Sequence, residues 1–404
     1  MRRFFCIVCL FALLAGCAPD KHSLSAAPVT AEEEPEPLVM TSGNTNDAGF
    51  FSFYYDPAHS ELGNRLTRWD WEDMTVHICC TVPGCDHMGQ ACEARRNGYL
   101  SVLENAVYTL EQEKDGSFYT LYQWDSQGLH PQPVGQMDYW SFFGADAEYL
   151  YGFCDKAFGR VSRANGEETL LAYSLRTDFY DRGSVLGVWE NRFVAVSLDP
   201  DRAQPARVCL FDREGNVTEV AQIDANRFAN QRCALVDSEV VYLDRLTGDV
   251  MSVSLDTGET RTVTQALRPY NTLEKEDFYN CQRWSVQVVG NTPVVGVMDR
   301  VQNGSNTTVF RVNEDGTATE LPQRQQLLDF DSALWPGFAP NGRTDPVTVL
   351  AQWKGRLAVL CAIQFSAIQT ETGPSQHARN VYAGMDAEDY LAGKEIYREF
   401  TVPD

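Results

Sequence analysis

From Phe50 onward, short apolar runs alternate with turn signals, and the pattern recurs along the chain. Gly98 to Val134 holds apolar runs at Tyr99–Val102, Ala106–Leu110 and Phe118–Tyr122, punctuated by turn signals ending at Gly116 and Gly128. Trp140 to Leu171 repeats the theme with an Asn165-Gly166 turn. Ser184 to Ile223 does so with Asp212 to Gly215, and Cys233 to Thr264 with Thr247-Gly248 and Asp256 to Gly258. Trp284 to Leu321 repeats it with Asn313 to Gly316. Each unit reads as three or four β-strands joined by Asp/Asn-Gly type hairpins. Phe50 to Cys80 and Val347 to Val402 supply further strands. Only Ala387 to Gly393 and Pro322 to Asp329 read as locally helical, which argues against an alternating βαβ architecture.

A unit of roughly 40 to 50 residues has the length of a propeller blade. One such sheet cannot bury both its faces alone, whereas a closed ring buries each against a neighbour and protects the sheet edges. The pattern therefore predicts an all-β fold, a β-propeller of about seven blades, with six or eight the neighbouring counts. A pair of β-sandwiches is the competing arrangement, disfavoured by five consecutive units of similar length. A last strand over Glu395 to Val402 is expected to complete the first blade and close the ring.

The front of the chain has a different character. A short basic start, Met1 to Arg3, precedes the uncharged apolar run Phe4 to Leu14. That run is too short to span a bilayer and fits a signal peptide over residues 1–16. Leu14-Ala15-Gly16-Cys17 follows, and no later stretch is long and apolar enough to cross a membrane. Residues 17–47 hold Pro19, Pro28, Pro35, Pro37 and the acidic run Glu32 to Glu34, the composition of a disordered tether. The propeller is accordingly placed over residues 48–404.

Charge narrows the partners. With 33 Lys and Arg against 56 Asp and Glu, the net charge is −23. A surface this acidic repels phosphate backbones, which disfavours nucleic acid as a partner.

Candidate chemistry concentrates in residues 79–92, where Cys79, Cys80, Cys85, His87 and Cys92 share one loop. Pro83-Gly84 supplies a tight turn between Cys80 and Cys85, and in an extended stretch Cys85 and His87 share a side. Cys80, Cys85, His87 and Cys92 are the candidate ligands of a closed structural zinc site. One or two disulfides, such as Cys80–Cys92 or Cys85–Cys92, compete with that reading, as do unligated thiols. Cys154, Cys209, Cys233, Cys281 and Cys361 sit in or beside apolar strands and read as small hydrophobes.

Two segments carry a resemblance. Leu14 to Cys17 resembles the bacterial lipobox, in which the cysteine receives a diacylglycerol and becomes the new N-terminus. With the acidic tether, the repeat body and the loop Cys80, Pro83, Cys85, His87, Cys92 and Ala94, the chain resembles surface lipoproteins of anaerobic Gram-positive bacteria. Their bodies are propeller-like domains of unknown function. The resemblance implies lipidation at Cys17 and anchorage to the cell membrane on the extracytoplasmic side. It carries over no activity.

Catalytic constellations are sparse. Gly-x-Ser-x-Gly, His-Glu-x-x-His, Walker and Gly-x-Gly-x-x-Gly motifs are missing from the sequence. His22, His59, His77, His130 and His377 have no nucleophile assigned to them by sequence, and His77 reads as a strand residue on a polar face. The carboxylate pairs Asp70/Asp73, Asp329/Asp331 and Asp386/Asp389 could serve glycoside chemistry, but read as solvated acids in so acidic a chain. Eight Trp and 17 Tyr could stack on sugars or peptides where several line one ring face, though blade packing accounts for most of them. The sequence thus favours a ligand- or protein-binding scaffold for an extracellular peptide, glycan or envelope protein. A carbohydrate- or peptide-active enzyme on the same fold is the alternative, and assembly of envelope complexes a third.

Overall fold

In a computed structural model, seven sheets of four or five strands follow one another along the chain as blades 1 to 7 of a β-propeller. Residues 36–402 are described, apart from 42, 55–63, 88–91, 96–97, 114–115, 117, 182, 200, 271–283, 302–303, 335–343 and 371–372. The signal segment 1–16, Cys17, His22, His59, Cys281 and Trp335 lie outside the described residues. Among the described residues no helix is long and apolar enough to cross a membrane.

The five repeats become blades 2 to 6, with strands running from Gly98 to Met137, Trp140 to Ala172, Gly183 to Ile223, Phe228 to Thr264 and Trp284 to Leu321. Blade 1 spans Thr45 to Ile78 and blade 7 Gln326 to Glu399. The period-2 rule explains why a ring forms. Successive side chains of a strand point to opposite faces. In the second strand of blade 4, Phe193 and Ala195 enter the core shared with blade 3, while Val194 and Val196 enter the core shared with blade 5. In blade 5, Val240 and Tyr242 face blade 4, and Val241 and Leu243 face blade 6. Every seam has its own apolar cluster, including that between blades 7 and 1, where Trp69, Met74, Ala358 and Phe400 meet. Strands buried on both faces carry near-continuous apolar runs, hence Phe193 to Val196 and Val240 to Leu243.

The turn glycines confirm the repeat at a finer grain. Gly128, Gly166, Gly215, Gly258 and Gly316 occupy the same third-to-fourth-strand turn of blades 2 to 6, with φ between 71° and 85°. At Gly258 the left-handed backbone and the Val220 carbonyl oxygen, 2.5 Å from where a Cβ would stand, both require glycine.

Three boundaries differ from expectation. The body begins at Pro37 rather than at residue 48. Val39–Met40 pairs antiparallel with the innermost strand of blade 3, and Thr45–Asn46 is the innermost strand of blade 1. Val39–Met40 and Thr45–Asn46 therefore do not belong to a disordered tether, because their backbone groups join ladders. Second, Pro322 to Asp329 is not helical: Gln326–Leu328 runs parallel to Ala362–Gln364 and prolongs the inner edge of blade 7. The short helix Ala387–Leu391 does form. Third, the last strand, Arg398–Glu399, pairs with Ala383 and Gly384 inside blade 7, and its backbone reaches blade 1 through Thr401, in a parallel bridge to Thr75.

The ring has two unlike faces. Antiparallel order puts the first-to-second and third-to-fourth-strand turns of all blades on one face. These are mostly tight, such as Glu190-Asn191, Asp237-Ser238 and Lys354-Gly355. The other face carries the blade-to-blade connections and the long hairpins Thr292–Val301/Gly304–Val312 and Arg356–Thr370/Gly373–Asp386. The N-terminal segment lies at the tight-turn face. Leu38 N donates to Asn191 Oδ1 at 2.7 Å, Val102 N to Thr41 O at 3.5 Å, and Asn46 Nδ2 to Leu103 O and Ser126 O at 3.2 and 2.9 Å.

Candidate metal centre

The Cys/His loop joins the outermost strand of blade 1, Val76–Ile78, to the innermost strand of blade 2, Gly98–Val102. Past Ile78, alternation sends the two adjacent cysteines opposite ways. Cys79 is 1% exposed in the core between blades 1 and 2, against Phe51 and Trp124, and burial pushes its thiol up to about 12. Cys80 faces the loop. Val82 to Cys85 closes a turn through Cys85 N to Val82 O, 3.2 Å, with Gly84 at φ +71° after Pro83, the dihedral a type II turn needs at that position.

His87 differs from expectation in how it arrives. It is not on an extended stretch with Cys85 but at φ +58°, held there by its carbonyl, which accepts from the buried Arg65 Nε at 2.6 Å. Its own N–H donates to Cys85 Sγ at 3.4 Å. Cys92, 2% exposed, supplies the fourth donor and anchors the returning chain through Arg95 N to Cys92 O, 3.1 Å. Glu93 Oε2 accepts from both Thr81 N (3.1 Å) and Thr81 Oγ1 (2.7 Å), clasping the two ends of the loop.

Cys80, Cys85, His87 and Cys92 are thereby brought together, with every pair of ligand atoms within 4.8 Å. All four cysteines of residues 79–92 are free thiols. Cys92 Sγ lies 3.6 Å from His87 Nδ1. Around zinc, bonds of about 2.3 Å to sulfur and 2.0 Å to nitrogen place such donors about 3.5 Å apart along a tetrahedral edge. The cluster could hold one metal ion. Its donor set, three thiols and an imidazole, and the backbone N–H on Cys85 Sγ fit a soft, closed site with a supporting hydrogen bond. The thiols are unequal: Cys92 is pushed up to about 12 by burial. At Cys80 burial is outweighed by the Val82 and Glu93 backbone groups and the neighbouring thiols, which hold it below the ordinary thiol value.

Among the described residues one other set of sequence candidates brings its ligand atoms within 4.8 Å of one another. Asp70, Asp73 and His77 cluster in the third-to-fourth-strand turn of blade 1, on the tight-turn face. Their atoms are engaged locally: Asp70 Oδ1 caps Glu72 N, Asp70 Oδ2 pairs with Arg68 at 3.3 Å, and Asp73 Oδ2 meets His77 Nε2 at 2.9 Å. Asp389 pairs with Lys394, and Asp331 takes part in a backbone exchange with Gln376. Cys154, Cys209 and Cys361 are buried in strand cores as expected. Trp69, Trp124 and Trp140 are likewise buried in the seams. Sequence reasoning missed the ordered N-terminal segment, whose signal was the apolar triplet Leu38 to Met40. It also missed a helical insert before blade 4, Tyr173–Leu175 continuing into a π-helix over Arg176–Asp181, which no local pattern marked.

No family model matches the chain, and no curated protein matches it in sequence. Several solved structures align with it at low identity. An oligogalacturonate lyase in complex with manganese is 10% identical over 91% of this chain and 86% of that one, with a TM-score of 0.43. The oligogalacturonate lyase of Vibrio parahaemolyticus is 9% identical over 91% and 86%, with a TM-score of 0.42. A puromycin hydrolase S511A mutant complexed with PGG is 11% identical over 91% of this chain and 54% of that one, with a TM-score of 0.47. Likeness at this level carries no argument about activity.

Proposed function

We propose that this protein is a lipoprotein held on the extracytoplasmic side of the cell membrane through Cys17, and that its propeller is a binding scaffold for an envelope glycan, peptide or protein. The observation that carries this reading is the inequality of the two faces. The segment leading from Cys17 joins the ring at the tight-turn face, through Leu38, Thr41 and Asn46. The opposite face holds the helical insert, the Cys/His loop and the rising hairpins, and loops on a rigid scaffold are where binding residues concentrate. A zinc ion on Cys80, Cys85, His87 and Cys92 would fasten the connection between blades 1 and 2, a structural role for a closed site.

Fractionation tests the anchor. Cys17→Ser protein is expected in the soluble fraction, because one thioether-linked lipid is the membrane attachment; unchanged membrane retention would contradict it. For the scaffold, the soluble body from residue 37 is expected to bind stripped envelope material without converting it. Turnover of any envelope glycan or peptide would make the protein an enzyme instead.

A further inference from the structure

The seam between blades 7 and 1 changes character at its tight-turn end. In the strand Arg356–Thr370, Arg356 and Ala358 share a face, and at the end of the chain Arg398 and Phe400 do the same. Ala358 and Phe400 are packed into the seam with Trp69 and Met74, as alternation toward blade 1 requires. Arg356 and Arg398 stand one pleat nearer the tight-turn face and are exposed. Both line a cavity of ≈ 570 Å³ together with Trp71, Trp353 and Lys354. A second cavity of ≈ 260 Å³ adjoins it and shares Trp71, Arg356 and Arg398 as its wall.

The charges of the larger cavity are unevenly matched. Lys354 Nζ is held by Asp47 at 2.8 and 2.9 Å and by Glu104 at 3.2 Å. Trp353 Nε1 donates to Asp47 Oδ1 at 2.7 Å, which fixes the half-buried indole in the wall. Arg356 makes no hydrogen bond or ion pair among the described residues, although Asp386 stands opposite it in the ladder. Arg398 Nη2 reaches the Glu72 carbonyl oxygen at 3.5 Å, and among the described residues it meets no carboxylate. A rim arginine can simply lay its stem on apolar surface and keep its head in water. Here two of them share one cavity, beside a pinned indole, in a chain with 56 acidic against 33 basic side chains.

We propose that this cleft binds a small organic acid, a single carboxylate joined to an aromatic ring. The carboxylate accepts hydrogen bonds from Arg356 and Arg398, whose planar guanidiniums match its geometry. The ring lies against Trp353. Charge sets the class. Lys354, Arg356 and Arg398 against Asp47 and Glu72 leave the cavity one positive charge, which one carboxylate cancels. A phosphate monoester brings about −1.5 to −2 and overshoots it. An anionic bilayer is a wide negative surface, which a chain of net charge −23 repels. The site goes beyond the scaffold reading: it lies on the face opposite the one assigned to envelope binding, so its failure leaves that reading intact.

The test is calorimetric titration of the full chain, in neutral detergent, with hippurate, benzoate, indoleacetate and N-acetylphenylalanine, each beside its uncharged amide. Phenyl phosphate and glycerophosphoglycerol, the free headgroup of an anionic lipid, complete the panel. At least one acid is expected to bind, and its amide is not. Arg356→Gln and Arg398→Gln are each expected to weaken that acid about tenfold or more, the effect of losing a charge-assisted hydrogen bond. Arg379→Gln, exposed on the long hairpin, is expected to leave it unchanged. Should a glutamine variant lower the melting temperature, the difference between acid and amide in the native chain reads the same charge dependence. Binding of no acid, equal binding of acid and amide, or full affinity in both arginine variants overturns the site. Tighter binding of phenyl phosphate than of every acid, or binding of the lipid headgroup alone, makes it a phosphate site and overturns the carboxylate assignment.

Discussion

At the scale of the residue, the loop's ligand set was legible because it depends on few variables. Cys80 and Cys79 are adjacent, so alternation alone assigns one to the loop and the other to the core. Pro83-Gly84 names its own turn. What spacing could not give was the left-handed backbone at His87, which depends on Arg65 arriving from another strand. If the cluster is a zinc site, elemental analysis of protein purified under reducing conditions will find one zinc per chain. Cys85→Ser will then lower both the zinc content and the melting temperature, by roughly 2–4 °C per kcal/mol of lost stability for domains of a few hundred residues. Absence of zinc together with thiol counts showing a Cys80–Cys92 bridge would reject the site. A second expectation concerns the repeated turn. Gly258→Ala, at φ +71° and against the Val220 carbonyl, is expected to cost more than about 1 kcal/mol, read as a lower denaturant midpoint at unchanged slope.

At the scale of the element, the five inner repeats were legible because each is a self-contained meander whose turns announce themselves at Gly128, Gly166, Gly215, Gly258 and Gly316. Elements whose partners lie far along the chain were not. Gln326–Leu328 is a strand only because Ala362–Gln364 runs beside it, and Val39–Met40 only because Gly144 and Ala145 do. Local propensity carries no record of such pairings. The N-terminal segment has a measurable consequence. Starting the body at residue 48 removes Asn46, whose carbonyl accepts from Trp71 Nε1 at 3.0 Å. Trp71 is 5% exposed, and an orphaned buried N–H costs about 1–3 kcal/mol. A chain of residues 48–404 is therefore expected to unfold at lower denaturant than one of residues 37–404; equal midpoints would show the segment to be dispensable.

At the scale of the whole molecule, the period-2 rule and the closed ring are one statement. Strands apolar on both faces need a neighbour on each side, and only a circle gives every blade two. The sequence pattern implied the circle but not its two faces, since the seat of the segment Leu38 to Asn46 and the insert before blade 4 emerge only once the ring is closed. The central claim is that the long-loop face is the one that binds. It is tested most directly by the affinity of the soluble body, residues 37–404, for stripped envelope material. Two matched variants are compared with the native chain: Tyr173→Glu on the long-loop face, at a side chain 66% exposed, and Ile396→Glu on the tight-turn face, at one 55% exposed. The account predicts weaker binding for Tyr173→Glu and native affinity for Ile396→Glu. Loss of affinity confined to Ile396→Glu would contradict it.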